Sequence, residues 1–345
     1  MDFEKYGSFI LEETAALLQI DSPSGMTQQA AEHVIARFEA LGCRCERTRK
    51  DGVLVYFGGG DTENGLLLEA HMDTLGGMVC EIKKNGRLRI TPIGGLNANN
   101  VETENCRVIT RFDGIVEGTA QLVNASIHVN GEYNDTKRTF DTIEVVLDEV
   151  VSSAEDVKKL GVRTGDYVCF DPRVRITKSG YIKSRFLDDK LSVGILLGYA
   201  KYLKDEGIAP KRAVCAHITS YEEVGHGGCA SVPMGVTEAI AVDMGCVGEG
   251  LECDERTVSI CAKDRSGPFD RQVTKRLIAA AEKTGAAYAV DVYPFYSSDV
   301  ATTLRAGHDV RHGLIGAGVY ASHGYERSHA DGAVATLKVL AGYIE

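Results

Sequence analysis

The chain has 345 residues, more than one hydrophobic core usually organises, so two domains are expected. It is 44% apolar and 25% charged, with a formal net charge of -11 and a pI near 5.4. That acidity excludes the basic face which a nucleic-acid or anionic-membrane partner needs, and no uninterrupted apolar run is long enough to span a bilayer.

In chain order, residues 3 to 19 place Phe3, Phe9, Ile10, Leu17 and Leu18 at roughly helical spacing, and Ser22-Pro23-Ser24-Gly25 ends that helix. A second helix is expected from Thr27, its N-cap, to Leu41, with Val34, Phe38 and Leu41 as its apolar face and Gly42 as its stop. Strands follow near 43 to 48, 53 to 57 and 66 to 69. The texture then changes. Strand-like runs at 78 to 82 and 87 to 91 flank Asn85-Gly86, a hairpin signal, and further runs lie near 118 to 129 and 142 to 151. Only Ala154 to Leu160 reads as helix in this stretch. Alternation returns with a helix from Leu187 to Leu203, strands at 214 to 220 and 239 to 242, and helices at 270 to 284 and 334 to 344. The fold class is therefore α/β, with residues 1–74 and 178–345 forming one discontinuous domain and a mostly β domain, 75–177, inserted in it.

Four polar stretches sit where strands run out. Leu66-Leu67-Leu68 leads into Glu69-Ala70-His71-Met72-Asp73, where His71 is a candidate metal ligand and Asp73, two residues on, its orienter. Strand 214 to 220 runs into Tyr221-Glu222-Glu223-Val224-Gly225-His226-Gly227-Gly228. On an extended backbone adjacent acids point to different sides, so one can hold a metal while the other reaches water as a general base. Strand 239 to 242 ends in Asp243, so His71, Glu222, Glu223 and Asp243 are expected to converge on one sheet edge. Asp188-Asp189 precedes a helix, where the two acids read either as caps or as a carboxylate bridging two cations. A last polar loop carries His323 and His329. His217, inside an apolar strand, reads as a core histidine.

The set of motifs His71-Met72-Asp73, Pro92-Ile93-Gly94-Gly95, Leu187-Asp188-Asp189-Lys190, Glu222-Glu223-Val224-Gly225, Val242-Asp243, Ser298-Asp299 and Ser322-His323 resembles, in that order, the glutamyl and deblocking aminopeptidases, also called tetrahedral aminopeptidases. The resemblance covers essentially the whole chain. It implies a mixed-sheet catalytic domain carrying a PDZ-like β domain used in oligomer contacts, and homo-oligomers from dimer to dodecamer. It implies two divalent metal ions per subunit, zinc or cobalt, one held by His71, Asp188 and Asp243 and the other by Asp188, Glu223 and His323. Asp73 would orient His71, Glu222 would activate a metal-bridging water, and the Asp188–Asp189 peptide would be cis. Asp299 and His226 are read as substrate contacts. The implied reaction is release of N-terminal residues from short peptides. The chain departs from the family pattern at Lys190, where arginine is usual, at Thr74, where an acid is frequent, and at His323-Gly324-Tyr325-Glu326, one residue shorter to its glutamate.

Rival expectations are a dinuclear deacylase of N-acyl amino acids, an endoglucanase-type glycan hydrolase, and an inactive scaffold. The absence of tryptophan and the 7% aromatic content disfavour a sugar groove, and six competent ligand and base positions disfavour a scaffold. Met1 to Tyr6 does not read as a signal peptide. Ten cysteines without a Cys-x-x-Cys pair suit free thiols in the cytoplasm, where the glycosylation-like tripeptides at Asn124 and Asn134 carry no meaning.

Overall fold

Leu66, Leu67 and Leu68 are all fully buried, as a strand covered on both faces requires. They belong to β1 (Asp61–His71), which lies inside a 13-stranded mixed sheet. The structure, a computed structural model, describes residues 2–345. β2 (Arg212–Thr219) and β3 (Val236–Val242) flank β1, both parallel to it, and β4 (Arg311–Tyr320) lies parallel to β3. All four therefore end on one edge, and in the β1–β2 register His71 stands opposite Thr219. Antiparallel strands extend the sheet on both sides, Val53–Gly58 and Arg44–Arg47 beyond β2 and Glu326–His329 and Tyr181–Ser184 beyond β4, and further strands branch from β4.

The helix Leu187–Glu206 is buried on nearly every face, because it lies between the sheet and the helix Gly7–Leu18. Gly194 and Gly198 allow that crossing. A Cβ on Gly194 would stand 2.1 Å from Thr14 Oγ1, and one on Gly198 2.6 Å from Ile10 Cγ1. The helix Arg271–Thr284 buries Val273, Leu277, Ala280 and Ala281, the stripe legible in its sequence; Asp270 caps its first amides and Gly285 ends it at φ 66°.

The chain divides into two compact units, the residues up to Asp73 with Arg173–Glu345, and Thr74–Pro172. In the second, Gly76–Ile82, Leu88–Ile93, Ile143–Leu147, Ile115–Leu122, Asn105–Ile109 and Tyr167–Phe170 close, in that order, into an antiparallel barrel. Closure removes the exposed strand edges an open sheet would carry. Asn85-Gly86 lies in the first hairpin turn, with Gly86 at φ 82°.

Three local expectations are corrected. The strand placed at 118 to 129 is Ile115–Leu122; Asn124 then turns at φ 58° and Val129 N–H bonds back to Ser126 O, so the remainder is a turn. Thr27 precedes its helix but does not cap it, because its hydroxyl pairs with Ser220 Oγ at 2.9 Å. The first helix begins as a 3-10 turn, Glu4–Tyr6, before Gly7–Leu18.

Candidate metal centre

The parallel strands β1, β2 and β3 deliver His71, the Glu222-Glu223 pair and Asp243 to one edge. His71 closes β1 with its side chain 2% exposed. Its Nδ1 lies 2.9 Å from the carbonyl oxygen of Asp73 and 3.6 Å from that residue's carboxylate. The closer partner for orienting the ring is thus the Asp73 main chain, whereas the Asp73 carboxylate accepts the N–H groups of Glu222 (3.1 Å) and Glu223 (3.3 Å) and the Ser24 hydroxyl. One residue ties the histidine to the two acids.

Glu222 and Glu223 do not diverge as neighbours on an extended strand. Tyr221 turns into left-handed backbone at φ 71°, and Glu222–Val224 forms a 3-10 turn. The turn brings Glu222 Oε2 within 3.8 Å of His71 Nε2 and Glu223 Oε2 within 3.6 Å of His323 Nε2.

Asp188 lies between the histidines. Its Oδ1 is 3.1 Å from His71 Nε2 and its Oδ2 is 3.5 Å from His323 Nε2. Regular helical geometry starts only after Asp189, and the Asp188–Asp189 peptide is cis. Neither acid is therefore an ordinary cap. Donor atoms of His71, Asp188 and Glu223 lie within 4.8 Å of one another, and so do those of His71, Asp189 and Asp243. Asp189, which has no ligand role in the sequence reading, thus joins the cluster; its Oδ2 accepts His71 N–H at 3.2 Å, and its Oδ1 is buried without a partner.

The electrostatics are those of a site short of positive charge. Burial pushes Glu222 far above the usual carboxylate range, opposed by His71 and reinforced by Asp299 and Asp243. Burial and then Asp188 raise Glu223 and Asp243, the latter to about 7. Burial and then Asp243 raise Asp189. Burial would raise Asp188 too, but contact with His323 and His71 holds it far below the ordinary value. Burial works against charge on both histidines, yet Asp188 and the glutamates outweigh it, lifting His71 strongly and His323 to about 10. Protons compensate these acids where divalent cations could replace them. Nitrogen and carboxylate donors at this spacing, with an orphaned Asp189 oxygen among them, suit borderline divalent cations.

The remaining expected residues lie elsewhere in the arrangement. Asp299 is 3% exposed, and both its oxygens are engaged, by Thr219 Oγ1 and by Gly228 N–H. Through these bonds it holds the glycine-rich loop. His226 is exposed and stacks on Tyr221 with ring centroids 5.0 Å apart. His329 serves the last helix: its Nδ1 accepts Asp331 N–H and its Nε2 meets Ser179 O. His217 is buried as expected, but its Nδ1 has no partner, and burial drives its pKa down to about 3. Lys190, the replacement for arginine, is buried and donates to the carbonyls of Leu17 and Ile20. Glu326 received no role from sequence, yet its two oxygens accept the N–H groups of His323 (2.8 Å) and Asp188 (3.1 Å). Its place three residues after His323 is the one signal that could have found it.

The sequence pattern of the M42 glutamyl aminopeptidase family matches residues 52–339. YhfE of Bacillus subtilis (strain 168) is 40% identical over 335 residues, covering 97% of each chain. The glutamyl aminopeptidase of Lactococcus lactis subsp. cremoris (strain MG1363) is 24% identical over 221 residues, 63% of this chain and 60% of that one. Among solved structures, the PhTET1-12s dodecamer superposes with a TM-score of 0.83 at 20% identity, over 97% of this chain and 98% of that chain, which establishes a shared fold alone.

Proposed function

From the premise that this chain belongs to the M42 glutamyl aminopeptidase family, we propose that it is a two-metal aminopeptidase releasing N-terminal residues from short peptides. The observation that carries this reading is Asp188, whose two oxygens face His71 and His323 separately, at 3.1 and 3.5 Å. One cation, zinc or cobalt, would be held by His71, Asp188 and Asp243, with Asp189 beside them, and a second by Asp188, Glu223 and His323. The pair would supply Lewis acidity toward the scissile carbonyl and lower the pKa of water.

The chain's own residues do the rest. Glu222 takes a proton from the attacking water and passes it to the leaving amine. Its burial suits this work, because a carboxylate with raised proton affinity both accepts and releases a proton near neutral pH. Asp73 fixes the glutamate turn through two backbone hydrogen bonds and holds His71 through its carbonyl, so base and ligand stay in register. Glu326 does the same for Asp188 and His323. The free α-amine of the substrate is attracted by the acidic set.

The barrel is read as a PDZ-like assembly module and the protein as a homo-oligomer, in keeping with the dodecameric neighbour. No helix among the described residues is long and apolar enough to cross a membrane, and all ten cysteines are free, which suits a cytoplasmic setting. The test is a panel of aminoacyl chromogenic amides, short free-amine peptides, N-acyl amino acids and oligosaccharides, assayed before and after chelation with zinc or cobalt added back. The reading requires chelator-sensitive, metal-restored cleavage of free-amine substrates. Cleavage confined to N-acyl amino acids would replace it with a deacylase, and sugar release that survives chelation would replace it with a glycan hydrolase.

A further inference from the structure

The loop that follows Glu222 and Glu223 is held through the backbone of four consecutive residues. Gly225 N–H returns to Glu222 O at 2.7 Å, and His226 N–H to Tyr221 O at 3.1 Å. Lys50 Nζ, from the turn between the strands Arg44–Arg47 and Val53–Gly58, donates to the carbonyls of His226 and Gly227. The helix Asp299–Arg305 takes Gly228 at both ends: the Asp299 carboxylate accepts its N–H at 2.6 Å, and Thr303 Oγ1 lies 2.8 Å from its carbonyl oxygen. Only glycine fits this seating. A Cβ on Gly227 would stand 2.4 Å from Asp299 Oδ1, and one on Gly228 2.6 Å from Thr303 Oγ1.

The Thr303 hydroxyl also lies 2.7 Å from Glu69 Oε1, and both residues are buried. A hydroxyl has one hydrogen to give. Gly228 O can only accept, so that hydrogen goes to the carbonyl, and the Glu69 contact is completed by Glu69 donating as a neutral carboxylic acid. A neutral acid also suits the second Glu69 oxygen, which is buried without a partner. The bonds therefore run in one direction, from Glu69 to Thr303 to the Gly228 carbonyl. Asp299, which takes the Gly228 N–H, is fixed in turn by the Thr219 hydroxyl. Glu69 stands on β1 two residues before His71, and Thr219 on β2, the strand that leads to Glu222, so the loop is tied back to the strands that carry the cluster.

We infer that Thr303 is a positioning residue for Glu222: its hydroxyl, with the Glu69 carboxyl behind it, fixes Gly228 and thereby the turn that aims the base. This rests on the aminopeptidase reading, in which Glu222 moves the proton. Asp73 holds the start of the segment through the N–H groups of Glu222 and Glu223, and Thr303 with Asp299 holds its end. A base slightly displaced loses its alignment with the attacking water while the substrate is still bound, so the loss falls on turnover.

Thr303→Val keeps the shape of the side chain and removes the hydroxyl. With an aminoacyl chromogenic amide and zinc-loaded enzyme, kcat should fall about 10- to 100-fold while KM moves by no more than about threefold. Zinc content should stay that of the wild type. Thr303→Ser, which keeps the hydroxyl, should restore kcat to within about threefold. Glu69→Gln places an amide N–H where the acid O–H was and should behave as Thr303→Ser does, whereas Glu69→Leu should behave as Thr303→Val. Unchanged kcat in Thr303→Val, whatever its unfolding temperature, would overturn the inference and leave the hydroxyl a structural one. Parallel losses of kcat and zinc content would overturn it too, because the hydroxyl would then serve the ligand Glu223. Glu69→Gln as slow as Glu69→Leu would overturn the direction of the relay. Wild-type enzyme that cleaves no free-amine substrate at full zinc loading would remove the aminopeptidase reading, and this inference with it.

Discussion

His71 closes a parallel strand and keeps 2% of its side chain exposed, whereas His323 sits in a loop at φ 61° and keeps 38%. Around His71 the partners come from the ends of adjacent strands and from the Asp188-Asp189 turn, with Asp188, Asp189 and Asp243 buried and Glu223 partly so. Around His323 the backbone N–H is held by the Glu326 carboxylate. A sheet edge thus fixes one end of the cluster and a loop the other. The difference teaches where each task belongs: a cation bound at the strand ends would be enclosed, whereas the loop end is the one open to solvent.

The largest effect should come from the acid that sits beside the enclosed end without being needed to hold a cation. Glu222→Gln should lower kcat by about 1,000-fold or more, with both cations still bound, measured by turnover and by metal content after gel filtration. Near-normal turnover would assign proton transfer to another group. Next comes a direct contrast between the histidines. In chelated protein His71→Ala should cost about 3 to 5 kcal/mol in urea unfolding, because it leaves the buried Asp188 and Glu222 without their cationic neighbour. His323→Ala, at a position more than a third exposed, should cost less by the same measurement, because solvent screens its ion pairs. Equal losses would erase the distinction between the two ends.

A smaller change probes the rigidity of the enclosed end. A Cβ on Gly316 would lie 1.5 Å from the Asp243 carbonyl oxygen, so Gly316→Ala must move the backbone that presents Asp243. About 1 to 3 kcal/mol of stability should be lost, together with about tenfold in zinc affinity at that end, read by calorimetric titration. Unaltered affinity would show that strand and ligand are not coupled. The smallest effect is in pH. In chelated protein His323 titrates near 10 rather than 6.5, and Glu326 near 8 rather than 4.5, raised by burial and then by Asp188. Both folded values lie above the unfolded ones, so the stabilisation each gives is complete below its unfolded value and is lost as pH rises through its folded value. Denaturation midpoints of chelated protein should fall between about pH 7 and 10 and fall less steeply in His323→Ala, whereas a flat wild-type profile would contradict this assignment.

How far the sequence reached follows the same division between strand and loop. β1, β2 and β3 were legible because each is a dense apolar run ending in acids or histidine, and parallel strands in one sheet share an edge. The stripe of Val273, Leu277 and Ala280 likewise announced its helix. The short partners Glu326–His329, Tyr181–Ser184 and Tyr288–Val292 were not read, because their pairing is set by tertiary neighbours and not by their own pattern. Asp299 and Glu222 show the limit at the site. Residue types disclose that acids gather, but not that Asp299 spends both oxygens on Thr219 and Gly228, or that Tyr221 turns the chain before Glu222.

The central claim, that Asp188 joins two cation positions of unequal enclosure, is tested most directly by calorimetric titration of zinc into chelated enzyme, with aminoacyl-amide turnover followed in the same samples. The account predicts two ions per chain in the wild type, one in His323→Ala, and wild-type turnover that appears with the second ion. Binding of a single ion by the wild type, or two ions bound with equal strength by His323→Ala, would contradict it.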